Sequence, residues 1–203
     1  MMTDRAMSDA APVRRGRYGR VAMALHWTIA LLIYVQIGLG WYFNEVAADH
    51  SPQQKALVGV HISVGLTILL LVLVRIAWRL THPAPPLPPG MPAWERILAN
   101  AVHLTFYVLM LVLPLTGWAI ASLGKDPILL WGIPWPHLPG IAGVISDKPS
   151  RESLQHFHVY VLIWITLINL ALHIAGGLKH QFDGRPVLWR MIPFLKPRVP
   201  AAY

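Results

Sequence analysis

The residues of this chain best suited to chemistry are two histidines in its last long apolar stretch. His158 and His173 lie 15 residues apart within residues 157–178, a stretch without Asp, Glu, Lys or Arg. In an α-helix, 15 steps of about 100° bring the second imidazole back to within roughly 60° of the first. At about 1.5 Å per residue the two rings lie roughly 22 Å apart along the axis. One helix therefore offers a strong ligand near each end of the same face.

Two earlier apolar stretches each carry one histidine near their start, His26 and His61. In helices of alternating direction, His26 shares a level with His173, and His61 shares the opposite level with His158. An iron porphyrin takes two axial ligands, and neutral imidazoles supply them without burying a charge. A lone histidine inside a membrane often makes only an interhelical hydrogen bond. Four at matched depths instead predict two stacked haem sites, an arrangement suited to transmembrane electron transfer.

The helices that must position these histidines are long and apolar. Only 13% of the 203 residues are charged and 55% are hydrophobic. A helix needs about 20 mostly apolar residues to cross a bilayer, and four stretches meet that length. Buried helices of a soluble protein are the alternative, but these stretches leave almost no polar face. We therefore expect an all-α membrane protein, a four-helix bundle over residues 21–195. The predicted spans are about 21–44, 57–79, 97–121 and 157–178.

Lysine and arginine are concentrated in the arm 1–20, around the proline-rich connector 81–93, and after the fourth span. Because positive residues stay on the cytoplasmic side, both termini are expected to be cytoplasmic, including the tail 196–203. The net charge of +8 reflects this bias and attraction to anionic lipid, and no nucleic-acid partner is expected. A signal peptide is a rival interpretation of the first span, but its cleavage would remove His26.

The chain contains no cysteine. Disulfides, iron–sulfur clusters, zinc thiolate sites and covalent C-x-x-C-H haem attachment are therefore excluded. No glycine-rich phosphate-binding motif is present either, which argues against nucleotide chemistry. Any haem would be held non-covalently.

Arg75 follows His61 by 14 residues, about 40° from the same face and one haem level lower. A buried arginine requires an anionic partner such as a haem propionate, although Arg75 could equally extend to the inner interface. His103 opens the third span. It could replace an axial ligand, hydrogen-bond a propionate, or mark the interface.

His180 follows His173 by seven residues, on nearly the same face and at the inner boundary. There it could donate to a quinone carbonyl and pass a proton, or simply flank the span. His156 competes with His158 as a ligand. It lies 17 residues from His173, about 100° off its face, and is therefore interpreted as a surface or loop residue.

With these residues, the chain resembles the prokaryotic cytochrome b561 family over about residues 18–195. The resemblance implies a bacterial inner-membrane protein with two b haems. It also implies exchange of electrons with the ubiquinone pool, and at least one relative oxidises superoxide at the periplasmic face. The ligands it implies are His26, His61, His158 and His173. The matching segments are Tyr18, Leu25-His26-Trp27, residues 60–65 leading to Arg75, 103–107, 114–118, Phe157-His158, 172–175 and 178–180.

One feature departs from the family pattern. The two histidines of the fourth span are usually 14 residues apart, whereas here they are 15 apart. The additional residue turns the helix face by about 100°. A π-bulge or a tilt of the helix is therefore expected in the fourth span.

Three functions are compatible with the sequence. The first is an electron carrier that transfers electrons from a small periplasmic donor to ubiquinone near the cytoplasmic face. The resemblance to the family favours superoxide as this donor. The second is a haem b subunit that anchors a partner protein, a periplasmic dehydrogenase or hydrogenase. The third is a non-haem membrane protein whose histidines relay protons.

Overall fold

The computed structural model describes residues 16–195 and confirms a helical bundle. The predicted tail 196–203 and most of the predicted basic arm lie outside this range. Within the described residues, four helical segments are long and apolar enough to cross a membrane. They comprise α1 (Arg20–Glu45), α2 (Pro52–Thr81), α3 (Ala93–Ser122) and a run that ends with α6 (Ile163–Phe182).

The helices begin and end where the sequence supplies caps and breakers. Ser51 precedes α2, and its hydroxyl accepts a hydrogen bond from the Gln54 N–H at 3.0 Å. Pro52 then occupies the first turn, where its missing N–H costs nothing. The proline-rich connector 81–93 separates α2 from α3, because proline cannot continue a helix. The ends observed for the first three long helices lie within about five residues of the predicted spans.

Successive long helices pack against each other: α1 on α2, α2 on α3, and α3 on α6. The central apolar cluster joins Ile29 of α1 to Val64, Ile68 and Val72 of α2. Many other large apolar side chains on the long helices point outward and are exposed. In water such a surface would be unfavourable, but lipid solvates it.

The fourth helical run differs from the prediction at its start. Helix α5 (Lys148–His156) begins the run nine residues before the expected span, because Asp147 caps it by accepting from the Ser150 N–H at 2.9 Å. A six-residue π-helix, Phe157–Leu162, joins α5 to α6. The expected π-bulge is therefore confirmed, and it contains His158. His156 ends α5 and is exposed, so it is a surface residue but not a loop residue.

The connection after α3 contains a short hairpin that the sequence analysis missed. Strands β1 (Ile128–Leu130) and β2 (Ile133–Trp135) pair antiparallel, and the single-turn helix α4 (Ile141–Val144) follows. The turn residues Trp131 and Gly132 both have positive φ, 53° and 88°. Such a turn matches the twist of a hairpin, although tryptophan rarely adopts it.

Two hydroxyl residues of α2 hold this turn in place. The Ser63 hydroxyl accepts from the Trp131 N–H at 3.1 Å and donates to the Leu129 carbonyl at 3.0 Å. The Trp131 indole N–H donates to the Thr67 hydroxyl at 3.0 Å. The hairpin therefore packs along α2, and we call this end of the bundle the hairpin end.

At the opposite end, the chain's first and last described segments are joined. The Tyr18 N–H donates to the Arg190 carbonyl at 3.2 Å, and the Trp27 indole donates to the Met191 carbonyl at 2.8 Å. The Arg190 guanidinium in turn donates to the Pro86 carbonyl of the connector at 2.7 Å. We call this the terminal end.

We expect Ser63→Ala to lower the free energy of unfolding by about 1–3 kcal/mol, because the variant leaves the Trp131 N–H without its partner. Thermal unfolding in detergent would measure the change. Ser153, exposed on α5, is the matched control, and Ser153→Ala should shift stability by less than about 0.5 kcal/mol. Equal stability of the two variants would show that the hairpin does not depend on Ser63.

Candidate functional site

The structure brings the four intramembrane histidines together as two facing pairs. His26 of α1 faces His173 of α6, with ring centroids 6.2 Å apart. His61 of α2 faces His158 of the π-helix, with centroids 6.4 Å apart. The first pair lies toward the terminal end and the second toward the hairpin end, which are the pairings predicted from depth.

These separations fit two imidazoles that share one metal ion. Bonds from a metal to imidazole nitrogen are about 2.0–2.1 Å long. With about 1.2 Å from each nitrogen to its ring centre, facing rings around one ion have centroids about 6.4 Å apart. Direct stacking or a hydrogen bond between the rings would bring the centroids closer. Both pairs could therefore hold an axial position on each side of a haem iron.

The His26/His173 pair has further polar and aromatic neighbours. His103 and Phe106 of α3 both lie edge-on to His173, each with centroids 5.3 Å from it. The His103 Nδ1 lies 2.6 Å from the Ala99 carbonyl, so this nitrogen carries the proton. Since His103 is closer to His173 than a shared ion allows, it is a flanking residue of the pair.

Arg75 lies at the level of the same pair. Its guanidinium donates to the Ala22 carbonyl at 3.3 Å, one turn before His26 on α1. A single long hydrogen bond to one carbonyl leaves most of its five donors available to an anion. Arg75 could therefore bind an anionic group near His26.

Small and hydroxyl residues surround the other pair. A Cβ on Gly117 would lie 3.2 Å from Cε1 of His158, and a Cβ on Gly40 would lie 3.5 Å from Cε1 of His61. The Thr116 hydroxyl oxygen lies 2.8 Å from Nδ1 of His158. By contrast, the buried Nδ1 of His61 has no hydrogen-bond partner among residues 16–195. The absence of a Cβ on Gly117 therefore gives the His158 ring room, whereas a Cβ on Gly40 would make only ordinary van der Waals contact with His61.

A compact charged cluster occupies the terminal end, about two to three turns beyond His173. Glu95 opens α3 and is buried, and it accepts a 2.6 Å hydrogen bond from Lys179. His180 is also buried, and its Nδ1 lies 3.2 Å from Asp183 Oδ2 while its Nε2 lies 3.9 Å from Glu95 Oε2. Arg185 contacts both carboxylates, at 3.2 Å for Glu95 and 2.6 Å for Asp183. Of these residues, His180 was predicted from the sequence, whereas Glu95 and Asp183 were not.

The charges of this cluster are fixed by its own contacts. Although burial opposes ionisation of Asp183, hydrogen bonds from Arg185 and Lys179 hold the pKa of this carboxyl well below its usual range. The bond to Asp183 likewise raises the pKa of Arg185. Asp183 is therefore an anion at physiological pH and favours a proton on Nδ1 of His180.

The same cluster has the composition of a metal site, since ligand atoms of Glu95, His180 and Asp183 lie within 4.8 Å of one another. However, Lys179 and Arg185 already neutralise both carboxylates. A divalent cation would have to displace one of these cations, so the arrangement favours ion pairing over metal binding.

The described fold and the paired histidines are those of a membrane-embedded metalloprotein, and comparison with known proteins identifies the family. The family model of prokaryotic cytochrome b561 matches residues 17–194, so the chain belongs to this family. It is therefore a multi-pass protein of the bacterial inner membrane that binds b-type haem and transfers electrons.

Several relatives are similar over most of their length. Cytochrome b561 homolog 2 of Escherichia coli is 29% identical, covering 87% of this chain and 91% of the relative. A probable superoxide oxidase CybB of Yersinia pestis is 26% identical, covering 87% of this chain and 96% of the relative. Cytochrome b562 of Cereibacter sphaeroides is 30% identical, covering 71% of this chain and 89% of the relative.

We expect Gly117→Ala to weaken haem binding about tenfold, because the new methyl group, 3.2 Å from Cε1, would displace the His158 ring by a few tenths of an ångström. The haem content of purified protein and the rate of haem loss to apomyoglobin would measure this. Gly38→Ala, on α1, is the matched control because a Cβ there meets nothing within 4 Å. If both variants retain haem equally, space at Gly117 does not matter for the site.

Proposed function

We propose that this protein carries electrons across the inner membrane through two bis-histidine b haems, from superoxide on the periplasmic side to ubiquinone near the cytoplasmic face. The observation that carries the proposal is the pair of centroid separations, 6.2 and 6.4 Å, at opposite levels of one bundle. In this proposal His26 and His173 hold one haem, and His61 and His158 hold the other. When bound, these haems would supply one-electron carriers at two depths.

The proposed orientation places the terminal end in the cytoplasm. The described basic residues of that end include Arg17, Arg20, Arg79, Arg185 and Arg190, which outnumber its acidic residues. At the hairpin end, lysines and arginines are balanced by Asp and Glu. The difference follows the positive-inside rule, so both termini are cytoplasmic in this proposal.

The charged cluster at the terminal end supports a quinone site beside the inner haem. Asp183 holds Nδ1 of His180, which leaves Nε2 directed toward Glu95. The Glu95 Oε2 atom is buried and has no hydrogen-bond partner among the described residues, although Arg185 lies nearby. His180 would hydrogen-bond the quinone carbonyl through Nε2 and pass a proton to it. Arg75 would neutralise a propionate of the haem held by His26.

The net reaction balances with superoxide as the donor. Two superoxide anions are oxidised to two molecules of O₂ and release two electrons. One ubiquinone takes up both electrons and two protons to become ubiquinol. Two one-electron carriers suit this stoichiometry, because the donor delivers one electron at a time. The likeness to the Yersinia pestis relative named as a probable superoxide oxidase supports this donor.

Haem quantified per chain, with a reduced-minus-oxidised visible spectrum, should give about two b haems for the purified protein. We expect His158→Ala to lose one of them, because one axial ligand is removed. His156→Ala is the control, since His156 is exposed and its ring packs on Tyr160, 5.0 Å away. Loss of haem in His156→Ala but not in His158→Ala would reverse the ligand assignment.

Superoxide generated enzymatically should drive formation of ubiquinol by the purified protein. We expect His180→Asn to slow quinol formation at least about tenfold, while the haems are still reduced by superoxide at the wild-type rate. His82→Asn is the control, because His82 is exposed at the same end and stacks on Trp78 at 3.7 Å.

Two results would contradict this proposal. Failure of superoxide to reduce the haems of the wild-type protein excludes it as the donor. Co-purification of a large soluble subunit would then support the alternative, a membrane anchor for a periplasmic dehydrogenase or hydrogenase. A folded preparation without haem would instead favour the proton-relay interpretation.

A further inference from the structure

We infer that Thr116 is a positioning residue for His158: its hydroxyl fixes the proton of this imidazole on Nδ1 and so presents the Nε2 lone pair to the metal. The inference rests on the proposed role of His158 as a haem ligand. Helix α3 supplies none of the four proposed ligands. In this inference, one of its residues nevertheless sets the reduction potential of one haem and not of the other.

The hydrogen bonds around Thr116 determine which group donates and which accepts in its contact with His158. Its oxygen lies 2.9 Å from the carbonyls of both Val112 and Leu113, and 2.8 Å from Nδ1 of His158. A hydroxyl has one proton, and a carbonyl can only accept. When the Thr116 proton is directed at these carbonyls, its oxygen is free to accept from Nδ1.

The contact with Thr116 determines the tautomer of His158. When Nδ1 donates to the Thr116 oxygen, Nε2 is the unprotonated nitrogen of the neutral ring.

The position of Thr116 follows from the local sequence of α3. Pro114 lies inside the helix and has no N–H, so one hydrogen bond of the backbone ladder is missing there. Thr116 bonds back to the preceding turn, a contact that commonly accompanies a bend in a helix. Gly117 is adjacent, and the absence of its side chain lets His158 approach. Thr116 and Gly117 therefore form the surface of α3 against which the His158 imidazole packs.

The partner ligand has no such support. The Nδ1 atom of His61 is buried without a hydrogen-bond partner in the described part of the chain. A hydrogen bond from Nδ1 makes an imidazole a more basic ligand. In the proposed hairpin-end site, His158 is therefore the stronger electron donor of the two ligands. A more basic ligand stabilises ferric iron, so the bond lowers the reduction potential of that haem.

The test is a redox titration of the complete haem-loaded protein. Thr116→Val keeps the branched shape and removes only the hydroxyl function. We expect the potential of one haem to rise by about 59 mV, which corresponds to a tenfold change in a one-electron equilibrium. The other haem should be unchanged. Thr116→Ser retains the hydroxyl and should restore the wild-type titration.

A second threonine controls for loss of a helix hydroxyl. Thr166 of α6 is buried, and its hydroxyl donates to the Leu162 carbonyl at 2.8 Å. Within residues 16–195 its hydroxyl makes no hydrogen bond to a histidine, so Thr166→Val should leave both potentials at their wild-type values. Electron paramagnetic resonance of the ferric haems adds a second readout, because only the haem ligated by His158 should change its low-spin signal in Thr116→Val.

The outcomes separate this inference from the proposed function. If Thr116→Val titrates as the wild type with both haems present, the inference is wrong. If both potentials shift equally, Thr116 has only a general structural role and the inference is again overturned. If His158→Ala retains both haems, the ligand assignment itself fails. A Thr116→Val protein that does not fold is replaced by Thr116→Ala, which is read by the same criteria.

Discussion

The distance between facing imidazoles governs the architecture of this protein. Rings that share an iron must stand a little over 6 Å apart, and the four histidines that do so belong to different helical segments. The helices must therefore be close enough to fix the rings but not so close that the rings touch. Glycine at position 117 provides that room for His158 on one level. On the other level, the neighbouring helix presents His103 and Phe106 edge-on to the ring of His173.

The fourth helical run must satisfy this constraint twice. In a regular α-helix, the spacing of its two histidines would leave the rings about 60° apart around the axis. His158 and His173 are 15 residues apart, and the π-helix takes up the additional residue at the end where the first ring stands. The cost is irregular backbone inside an apolar environment, where unsatisfied groups are expensive. Irregular helical geometry of this kind is frequently found at functional sites. Here the π-helix contains His158, a ligand candidate, so the orientation of this side chain gives a direct reason for the irregular backbone.

Much of this arrangement could be predicted from the sequence, because lipid imposes simple rules. Length and lack of charge identified the four spans, and alternating direction was enough to pair His26 with His173. The hairpin was not predicted, since its strands have three residues each and its turn places Trp131 at positive φ. The early start of α5 was missed because residues 148–156 are polar, although Asp147 and Ser150 form a recognisable cap. The contact between Thr116 and His158 could not be predicted, because it depends on the relative rotation of two helices.

The described chain closes on itself at the terminal end, where Tyr18 bonds to Arg190 and Trp27 bonds to Met191. Both histidine pairs also need a residue from the fourth helical run. During synthesis, the first three spans therefore reach the bilayer with their histidines facing no partner. Under the proposed ligation, each haem site is therefore complete only after the last span has been integrated. A chain that stops before residue 158 would leave both His26 and His61 without a facing imidazole, so one truncation would remove both proposed sites at once.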